Sequence, residues 1–296
     1  ARALPRGSVL NTDEGITTHW APKDVGDVSI SPADLLPVLG RSVKKRLQSD
    51  APVCCLISGG LDSSAILTLS SREVPMTAYT AVFDEDSPDL RHARELCRFL
   101  HVELREVRVP PPTIENIREA SAAIEIPSKA QTEIALLCLP LARRIAADGF
   151  KVCLSGEGAD ELFGGYGNMA IRGSKLDDIG WRDFRLAQLD KMARGNFIRC
   201  NKVFMAYGVE CRLPFMDSSI VTPVLAAGKE ACPPGKKLLK EAVKNILPKS
   251  IVCRQKDTFQ GASGVTAAVR DLLGDVNPVT FYNDLIRTQF GEITRG

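Results

Sequence analysis

The sequence lacks long hydrophobic runs and any large excess of positive or negative charge. No apolar stretch approaches the roughly 20 residues that a membrane-spanning helix requires, and the opening ARALPRG has no secretory-signal pattern. Because the net charge is only +2, no electrostatic surface for nucleic acid or lipid is indicated. These absences predict a cytoplasmic protein that binds neither nucleic acid nor a membrane.

Metal-binding cysteine motifs are also missing. The nine cysteines are odd in number and scattered, contain no CxxC pair and are accompanied by only three histidines, which argues against a zinc site. Cys54, Cys55 and Cys153 fall inside apolar runs. We therefore expect free thiols in a reducing compartment.

What the sequence does contain is a regular alternation of strand and helix patterns. The strand-like runs are 53–58, 76–83, 102–109 and 151–156, and the helical patterns among them are 62–72, 88–100, 113–124 and 131–148. The first and last runs are continuously apolar, as in strands buried on both faces of a parallel sheet. The predicted fold class is α/β, a parallel sheet flanked by helices with a helical C-terminal part. Ligands of such folds bind at the carboxyl ends of the strands.

The chain divides into three predicted parts. Residues 1–30 are polar and irregular, like a linker. A proline-started helix after Ser31 opens a domain over 31–275. Residues 276–296 form a C-terminal extension whose role the sequence does not assign.

The loop SGGLDSS, residues 58–64, follows the first apolar run. Gly59 and Gly60 can turn their N–H groups toward one point, and the helix that follows adds its own N–H groups and a partial positive charge. Such a loop is a good anion site, most often for phosphate. An ordinary strand–turn–helix junction is the alternative. Asp62 counts against it, because a carboxylate beside phosphate needs a metal ion between them, so the loop predicts a phosphate chain with Mg²⁺.

A second loop, SGEGADELFGGYG at 155–167, has a similar composition and also follows an apolar run. It carries Glu157, Asp160 and Glu161. Two such loops at the carboxyl ends of parallel strands could face each other, and Asp62 and Asp160 could then share one Mg²⁺ on a polyphosphate. An acidic helix N-terminus favoured by the helix dipole is the alternative for this loop alone, but it explains the pair less well.

Cations cluster toward the C-terminus, and most of them are expected on a solvated helix face. Lys256 differs, because it lies between a proline-ended helical segment and the glycine-rich QGASG. A mobile loop in that setting could bring a cation onto phosphate oxygens. The residues alone do not decide whether Lys256 binds phosphate or is an ordinary solvent-exposed cation. The cations of this region are Lys236, Lys237, Lys240, Arg254 and Lys256.

Together these segments resemble the synthetase domain of the asparagine synthetases and of their relatives, the β-lactam and carbapenam synthetases. The similarity rests on five ordered motifs over about residues 4–265: LPRGSVLN, SGGLDSS, SGEGADELFGGY, RCNKVFMAYGVECRLPFMD at 199–217 and the lysine-containing stretch at 236–264. It implies an ATP pyrophosphatase fold of the adenine nucleotide alpha hydrolase type. It also implies that ATP and Mg²⁺ convert a small carboxylic acid, aspartate or an analogue, into an acyl-adenylate with release of pyrophosphate. Ammonia or an amine then displaces AMP, so the implied enzyme is an ATP-dependent, AMP-forming amide synthetase.

The resemblance also implies roles for individual residues. Asp62 and Asp160 would hold Mg²⁺, and Glu157 would orient the nucleophile or accept its proton. Lys256, supported by Lys236, would stabilise charge on the α-phosphate and the leaving pyrophosphate. Glutamate at 157 also favours amide formation between two molecules over ring closure, since the β-lactam-forming relatives carry tyrosine there. The implied nucleotide contacts are Ser58, Gly59, Gly60, Asp62, Ser63 and Ser64 for pyrophosphate, Ser155 and Gly156 near the adenylate, and Val82 beside the adenine.

Two features depart from the asparagine synthetase pattern. Those enzymes begin with a glutaminase domain, of which these 296 residues show nothing. Either the sequence is a fragment of a longer protein, or the synthetase uses free ammonia, another amine, or a separate glutaminase domain or subunit. The family's Arg-x-Ser-Thr-Pro-like stretch near the aspartate and ammonia pocket is replaced within 124–140 by a segment reading QTEIALLCLP. Gln131, Thr132 and Glu133 become candidates for contacting a different acid or amine, with an exposed helix start as the alternative.

Two other functions stay open at this stage. One is another ATP pyrophosphatase, such as a tRNA thiolation enzyme or an NAD or GMP synthetase. Sulfur transfer would need a paired redox cysteine or a basic RNA-binding face, and the sequence shows neither. The other is a nucleotide-binding regulatory or scaffold protein that has lost turnover, against which the intact Asp62, Glu157, Asp160 and Lys256 argue. A homodimer is also left open.

Overall fold

A five-stranded parallel sheet forms the centre of the molecule. The structure, a computed structural model, describes residue 4 and residues 7–18, 30–126, 128–254 and 264–291. The sheet has the strand order β5-β4-β3-β6-β7, and every neighbouring pair is parallel. An antiparallel hairpin, β1 paired with β2, lies outside it. The strands are β1 Ser8–Asn11, β2 Gly15–Thr18, β3 Val53–Leu56, β4 Thr77–Val82, β5 Glu103–Arg108, β6 Val152–Leu154 and β7 Glu210–Arg212.

Helices connect and cover the strands, so the predicted α/β class with a helical C-terminal part is confirmed. The first half of the chain alternates strand and helix, and helices dominate after β6. A 3₁₀ turn, Pro214–Met216, follows β7. The α-helices are α1 Pro32–Arg46, α2 Leu61–Ser71, α3 Pro88–Leu100, α4 Ile114–Ile124, α5 Lys129–Ala147, α6 Ala159–Phe163, α7 Gly167–Gly173, α8 Asp178–Ala193, α9 Asn196–Met205, α10 Ser218–Ala226, α11 Lys237–Val243, α12 Lys249–Val252, α13 Val265–Leu273 and α14 Pro278–Phe290.

The two faces of the sheet carry separate hydrophobic cores. Side chains alternate between the faces along a strand, and the neighbours Cys54 and Cys55 in β3 are both fully buried, each in a different core. This explains why β3 is a continuous apolar run. The nine cysteines are all free thiols, as expected from the sequence.

Strand β7 and helix α14 are among the elements of the C-terminal half that were not predicted. Strand β7 is only three residues long, too short to show a period in the sequence. In the segment 276–296, helix α14 packs against α4 and α5, with Tyr282 buried in the core shared with those helices. The role of this segment stays unassigned. Among the described helices, none is long and apolar enough to cross a membrane.

Candidate active site

The two glycine-rich loops meet at the carboxyl edge of the sheet. The first joins β3 to α2 and the second joins β6 to α6, and β3 and β6 are hydrogen-bonded neighbours. A Cβ atom at Gly156 would lie 2.7 Å from the backbone nitrogen of Ser63 and 2.9 Å from Cβ of Asp62. The backbones of the two loops are therefore in direct contact, which requires glycine at this position.

This contact makes a prediction about Gly156→Ala. We expect the substitution to lower the free energy of unfolding by about 1–3 kcal/mol, because the added methyl group must force the loops apart. Gly40→Ala in α1 is the matched control, since its Cβ would meet no atom within 4 Å, and it should be neutral or stabilising by up to about 1 kcal/mol. Urea denaturation of both variants measures the difference. Equal stability of Gly156→Ala and the wild type would contradict the close approach.

The backbone of the first loop is fixed by contacts with Asp89 of α3 and with Arg254. Gly59 has a left-handed backbone with φ of 71°, and a Cβ there would lie 2.2 Å from the carbonyl oxygen of Asp89. Arg254 donates to the carbonyl oxygen of Gly59 at 3.2 Å and forms an ion pair with Asp89. On the inside, the hydroxyl oxygens of Ser58 and Ser63 lie 3.1 Å apart. These contacts fix the loop before any ligand arrives.

Ser64 is placed differently from the other loop residues. Its side chain is fully buried, and its backbone N–H donates to the carbonyl oxygen of Gly60 at 3.1 Å. It therefore lies behind the loop, inside α2. Its implied contact with pyrophosphate stays a prediction, one that this geometry does not favour.

Asp62 and Asp160 come together around the ammonium group of Lys236. The Nζ atom of Lys236 lies 2.5 Å from Oδ2 of Asp62 and 2.6 Å from Oδ1 of Asp160. All three side chains are nearly buried, with exposed fractions of 5%, 13% and 12% for the lysine and the two aspartates in that order. One buried cation thus bridges one carboxylate from each loop.

The backbone explains how Lys236 reaches this point. Its N–H donates to the carbonyl oxygen of Phe163 at 2.9 Å, at the end of α6, the helix that carries Asp160. Leu238 and Leu239, just beyond it, are buried in the core. Lys236 itself has a left-handed backbone with φ of 61°, a conformation uncommon outside glycine. The chain is therefore anchored on both sides of the lysine.

The same two carboxylates fit a magnesium ion. Mg²⁺ in phosphate sites is held by one or two carboxylates together with phosphate oxygens and water, and the donor set here is two carboxylates beside a loop rich in backbone N–H groups. The position between them already favours positive charge, because Lys236 occupies it. The described residues contain no group of three or more acidic, cysteine or histidine side chains arranged for a metal, so phosphate oxygens would have to complete the coordination.

Glu157 lies next to this cluster and is held by a buried arginine. Arg199 donates from one terminal nitrogen to Oε1 of Glu157 at 2.7 Å and from Nε to Oε1 of Gln131 at 2.8 Å. The arginine side chain is 3% exposed and the glutamate 27%. Burial alone would lower the pKa of Arg199, but the nearby Glu157 raises it above its usual value, so the guanidinium stays charged. Glu157 is thus fixed in place with part of its carboxylate open to the site.

Glu161 lies beside this cluster and forms a hydrogen-bonded pair with Tyr166. The hydroxyl of Tyr166 donates to Oε1 of Glu161 at 2.9 Å. Burial, and then the charges of Asp160 and Glu157, raise the pKa of Glu161 to about 7. The site therefore concentrates carboxylates and offsets them with Lys236 and Arg199.

The remaining predicted residues divide into three groups. Ser155 and Val82 are buried at the carboxyl ends of β6 and β4, at the same edge of the sheet as the two loops, and their nucleotide contacts stay predictions. Thr132 and Glu133 are buried and held within the fold, since Thr132 donates to the carbonyl oxygen of Ser128 and Glu133 pairs with Lys129. The alternative of an exposed helix start does not hold for them. Lys256 lies outside the described residues.

A known protein family matches a region of the sequence that includes both glycine-rich loops. The sequence model described as Asparagine synthase matches residues 34–186 and 180–278, which is most of the chain. The chain belongs to the asparagine synthase family. This membership covers the loops that carry Asp62 and Asp160, the Glu157–Arg199 pair and the Lys236 segment.

Individual relatives show how far the similarity to asparagine synthases extends. Asparagine synthetase B [glutamine-hydrolyzing] of Escherichia coli K12 is 29% identical over 291 residues, which is 89% of this chain and 52% of the relative. Probable asparagine synthetase [glutamine-hydrolyzing] of Schizosaccharomyces pombe is 29% identical over 335 residues, covering 98% of this chain and 59% of the relative. The chain thus spans about half the length of the curated relatives it matches.

One solved structure shows a weaker similarity, with low sequence identity and a low TM-score. It is the NH3-dependent NAD synthetase from Campylobacter jejuni in complex with nitrate, with 13% identity and a TM-score of 0.40 over 88% of this chain and 95% of the other. A similarity this weak carries no conclusion about the function of this asparagine synthase family member.

Three contributors to the site were not assigned from the sequence. Arg199 opens the family-like stretch RCNKVF, but an arginine on a helix is normally expected at the surface. Arg254 appeared only as one of several cations, and its contact with the first loop depends on packing over 195 residues of sequence separation. Asn196, which accepts a hydrogen bond from Nε2 of Gln131 at 2.7 Å, matched no pattern in the sequence. Each becomes visible only when α5, α9 and α12 are placed around the sheet.

Proposed function

We propose that the chain is an ATP-dependent amide synthetase that forms AMP and pyrophosphate. It adenylates a small carboxylic acid, aspartate or an analogue, and ammonia or an amine attacks the acyl group. The observation that carries this proposal is the meeting of the two loops: Asp62, Asp160 and Lys236 form one charged cluster, with Glu157 held by Arg199 beside it. Family membership supports the same chemistry.

The first loop supplies the phosphate site. Backbone N–H groups in the first turn of α2 would donate to the phosphate oxygens, and the hydroxyl groups of Ser58 and Ser63 lie on the same loop. Asp62 and Asp160 would hold Mg²⁺, which neutralises negative charge on the polyphosphate. Lys236 would then exchange its carboxylate partners for phosphate oxygens. Phosphoryl chemistry of this kind relies on positioning and charge neutralisation more than on covalent catalysis.

Glu157 would orient the nitrogen nucleophile and accept its proton. An ionised carboxylate accepts hydrogen bonds from an ammonium or amine and can take its proton. The ion pair with Arg199 holds this carboxylate at a fixed position, while its partial exposure leaves an oxygen open to a ligand. The source of ammonia is a further proposal, either free ammonia or a glutaminase domain or subunit, and a homodimer stays a prediction.

Sulfur transfer, as in tRNA thiolation, is less well supported. Cys200 and Cys211 do form a close pair, with their Sγ atoms 3.1 Å apart. However, hydrogen bonding among the cysteines and burial raise the pKa of both thiols well above the usual value. Such thiols are poor nucleophiles at neutral pH. A regulatory protein without turnover stays the alternative, and only a reaction assay separates it from an enzyme.

The test is an assay of products and exchange. We expect pyrophosphate and AMP to be released when ATP, Mg²⁺, ammonium chloride and one acid of a panel are present, and ATP–pyrophosphate exchange to follow the same acid. The panel contains aspartate, succinate, N-acetylglycine and butyrate. Omission of Mg²⁺ should abolish both signals. ADP as the main product, or nucleotide binding with no pyrophosphate under any condition, would overturn the proposal, and the latter would favour a regulatory role.

A further inference from the structure

The peptide bond between Gly59 and Gly60 has a defined orientation in the first loop. Its carbonyl oxygen accepts a hydrogen bond from Nη1 of Arg254 at 3.2 Å. Because this peptide bond is trans, its N–H points the opposite way, where it meets the hydroxyl oxygen of Ser58 at 3.4 Å. That oxygen lies 3.1 Å from the hydroxyl oxygen of Ser63. The carbonyl thus faces Arg254, and the N–H faces the serine hydroxyls on the side where phosphate is proposed to bind.

The glycines themselves do not impose this orientation. Reversal of the peptide needs changes in ψ of Gly59 and φ of Gly60, and glycine permits a wide range of both angles. A reversed peptide would present its carbonyl oxygen to a phosphate group in place of an N–H donor, which exchanges attraction for repulsion. The productive orientation therefore depends on a partner for the carbonyl oxygen, and Arg254 is that partner.

Arg254 is itself held in place by α3. Its Nη2 forms an ion pair with Oδ1 of Asp89, which lies in the first turn of that helix, where the helix dipole favours a carboxylate. The two side chains are 16% and 18% exposed, so solvent screens their attraction only in part. A guanidinium makes both contacts from one rigid plane. One side chain thus links the Gly59 carbonyl to the start of α3.

We infer that Arg254 is a positioning residue that directs the N–H of Gly60 toward the pyrophosphate group. The inference rests on the proposed function and adds to it a residue that acts on the ligand through the backbone. Arg254 lies on the carbonyl side of the peptide and the ligand on the N–H side. Loss of the arginine frees the peptide to turn, so affinity for pyrophosphate falls, whether the group belongs to ATP or is the free product.

The decisive variant is Arg254→Ala, and the decisive measurement is the binding of pyrophosphate with Mg²⁺ by isothermal titration calorimetry. We expect the Kd for pyrophosphate to rise by about tenfold, the value of one lost hydrogen bond. In ATP–pyrophosphate exchange the KM for ATP should rise similarly, with the KM for the acid unchanged. Arg91→Ala is the matched control, because it removes an exposed arginine from the helix that carries Asp89. It should leave the Kd unchanged.

Two further measurements separate positioning from a simple effect of charge. Arg254→Lys keeps the positive charge, but lysine cannot donate to Gly59 and Asp89 together from one plane. It should therefore lose nearly as much affinity for pyrophosphate as Arg254→Ala. Millimolar guanidinium chloride should restore binding to the alanine variant by occupying the vacated space. Wild-type affinity in the lysine variant, with no response of the alanine variant to guanidinium, would show an effect of charge alone and overturn the inference.

The outcomes for this inference and for the proposed function are distinct. If thermal melting shows that Arg254→Ala does not fold, Asp89→Asn is the second variant. It weakens the hold on Arg254 and should raise the Kd by about two- to fivefold, the value of a partly exposed ion pair. An unchanged Kd in the folded variant, with normal wild-type exchange, would overturn the inference alone. A raised Kd, with no acid-dependent exchange by the wild type, would overturn the proposed function alone. A wild type that binds no pyrophosphate would overturn both.

Discussion

Lys236→Met is expected to destabilise the protein strongly when no divalent cation is present. The substitution removes the buried cation that lies between Asp62 and Asp160 and leaves two carboxylates close together in a nearly buried site. Removal of one partner from a buried ion pair costs about 3–5 kcal/mol, because the remaining charge stays uncompensated. The free energy of unfolding, measured by urea denaturation in EDTA, should fall by about that amount. Acid-dependent ATP–pyrophosphate exchange should fall by about 10²–10³-fold, as for other losses of a single charge-stabilising group.

Added Mg²⁺ should recover part of the lost stability of Lys236→Met. A divalent cation between the two carboxylates stabilises the folded state by mass action, so the urea midpoint of the variant should rise with Mg²⁺ concentration more steeply than that of the wild type. Lys237→Met is the matched control: it makes the same change one residue further on, at an exposed position. If Lys236→Met and Lys237→Met had equal stability in EDTA, the charged cluster would not be a stabilising feature of the fold.

The pairing of the two loops could be predicted from the sequence for a simple reason. Each loop follows a short apolar run, and in a parallel sheet the carboxyl ends of all strands lie at one edge. The juxtaposition of Asp62 and Asp160 needed only that β3 and β6 be close, and they are direct neighbours. Position 156 must be glycine because the backbones of the two loops touch there, at Asp62 and Ser63.

The position of Lys236 could not be predicted in the same way. The segment GKKLLKEA has the pattern of an amphipathic helix with a solvated charged face, and Lys236 and Lys237 look equivalent in it. What separates them is the left-handed backbone at Lys236 and its hydrogen bond to the end of α6, both of which depend on packing. Arg199 and Gln131 are similar cases, since their contact joins helices 68 residues apart in sequence.

Glu157→Gln is expected to separate the two halves of the proposed reaction. Glutamine keeps the shape of the side chain but can neither accept a proton nor hold an ammonium by charge. Loss of a general base or of an orienting carboxylate typically lowers a rate by about 10²–10⁴-fold, so amide formation should fall by that factor. Acid-dependent ATP–pyrophosphate exchange should stay within about tenfold of the wild type, because Asp62, Asp160 and Lys236 are intact. Quenched-flow measurement of AMP release with and without ammonium chloride distinguishes the two steps.

Arg199→Lys tests whether the arginine acts through Glu157. Lysine keeps the positive charge but cannot donate to Glu157 and Gln131 together from a rigid fork, as the guanidinium does. The variant alone should therefore lower amide formation by about tenfold or more, while in the Glu157→Gln background it should cause little further loss. Such non-additivity is the mark of two residues acting as one unit. Independent effects, with the double variant losing the product of the two factors, would assign Arg199 a structural role and leave Glu157 to be positioned by the loop alone.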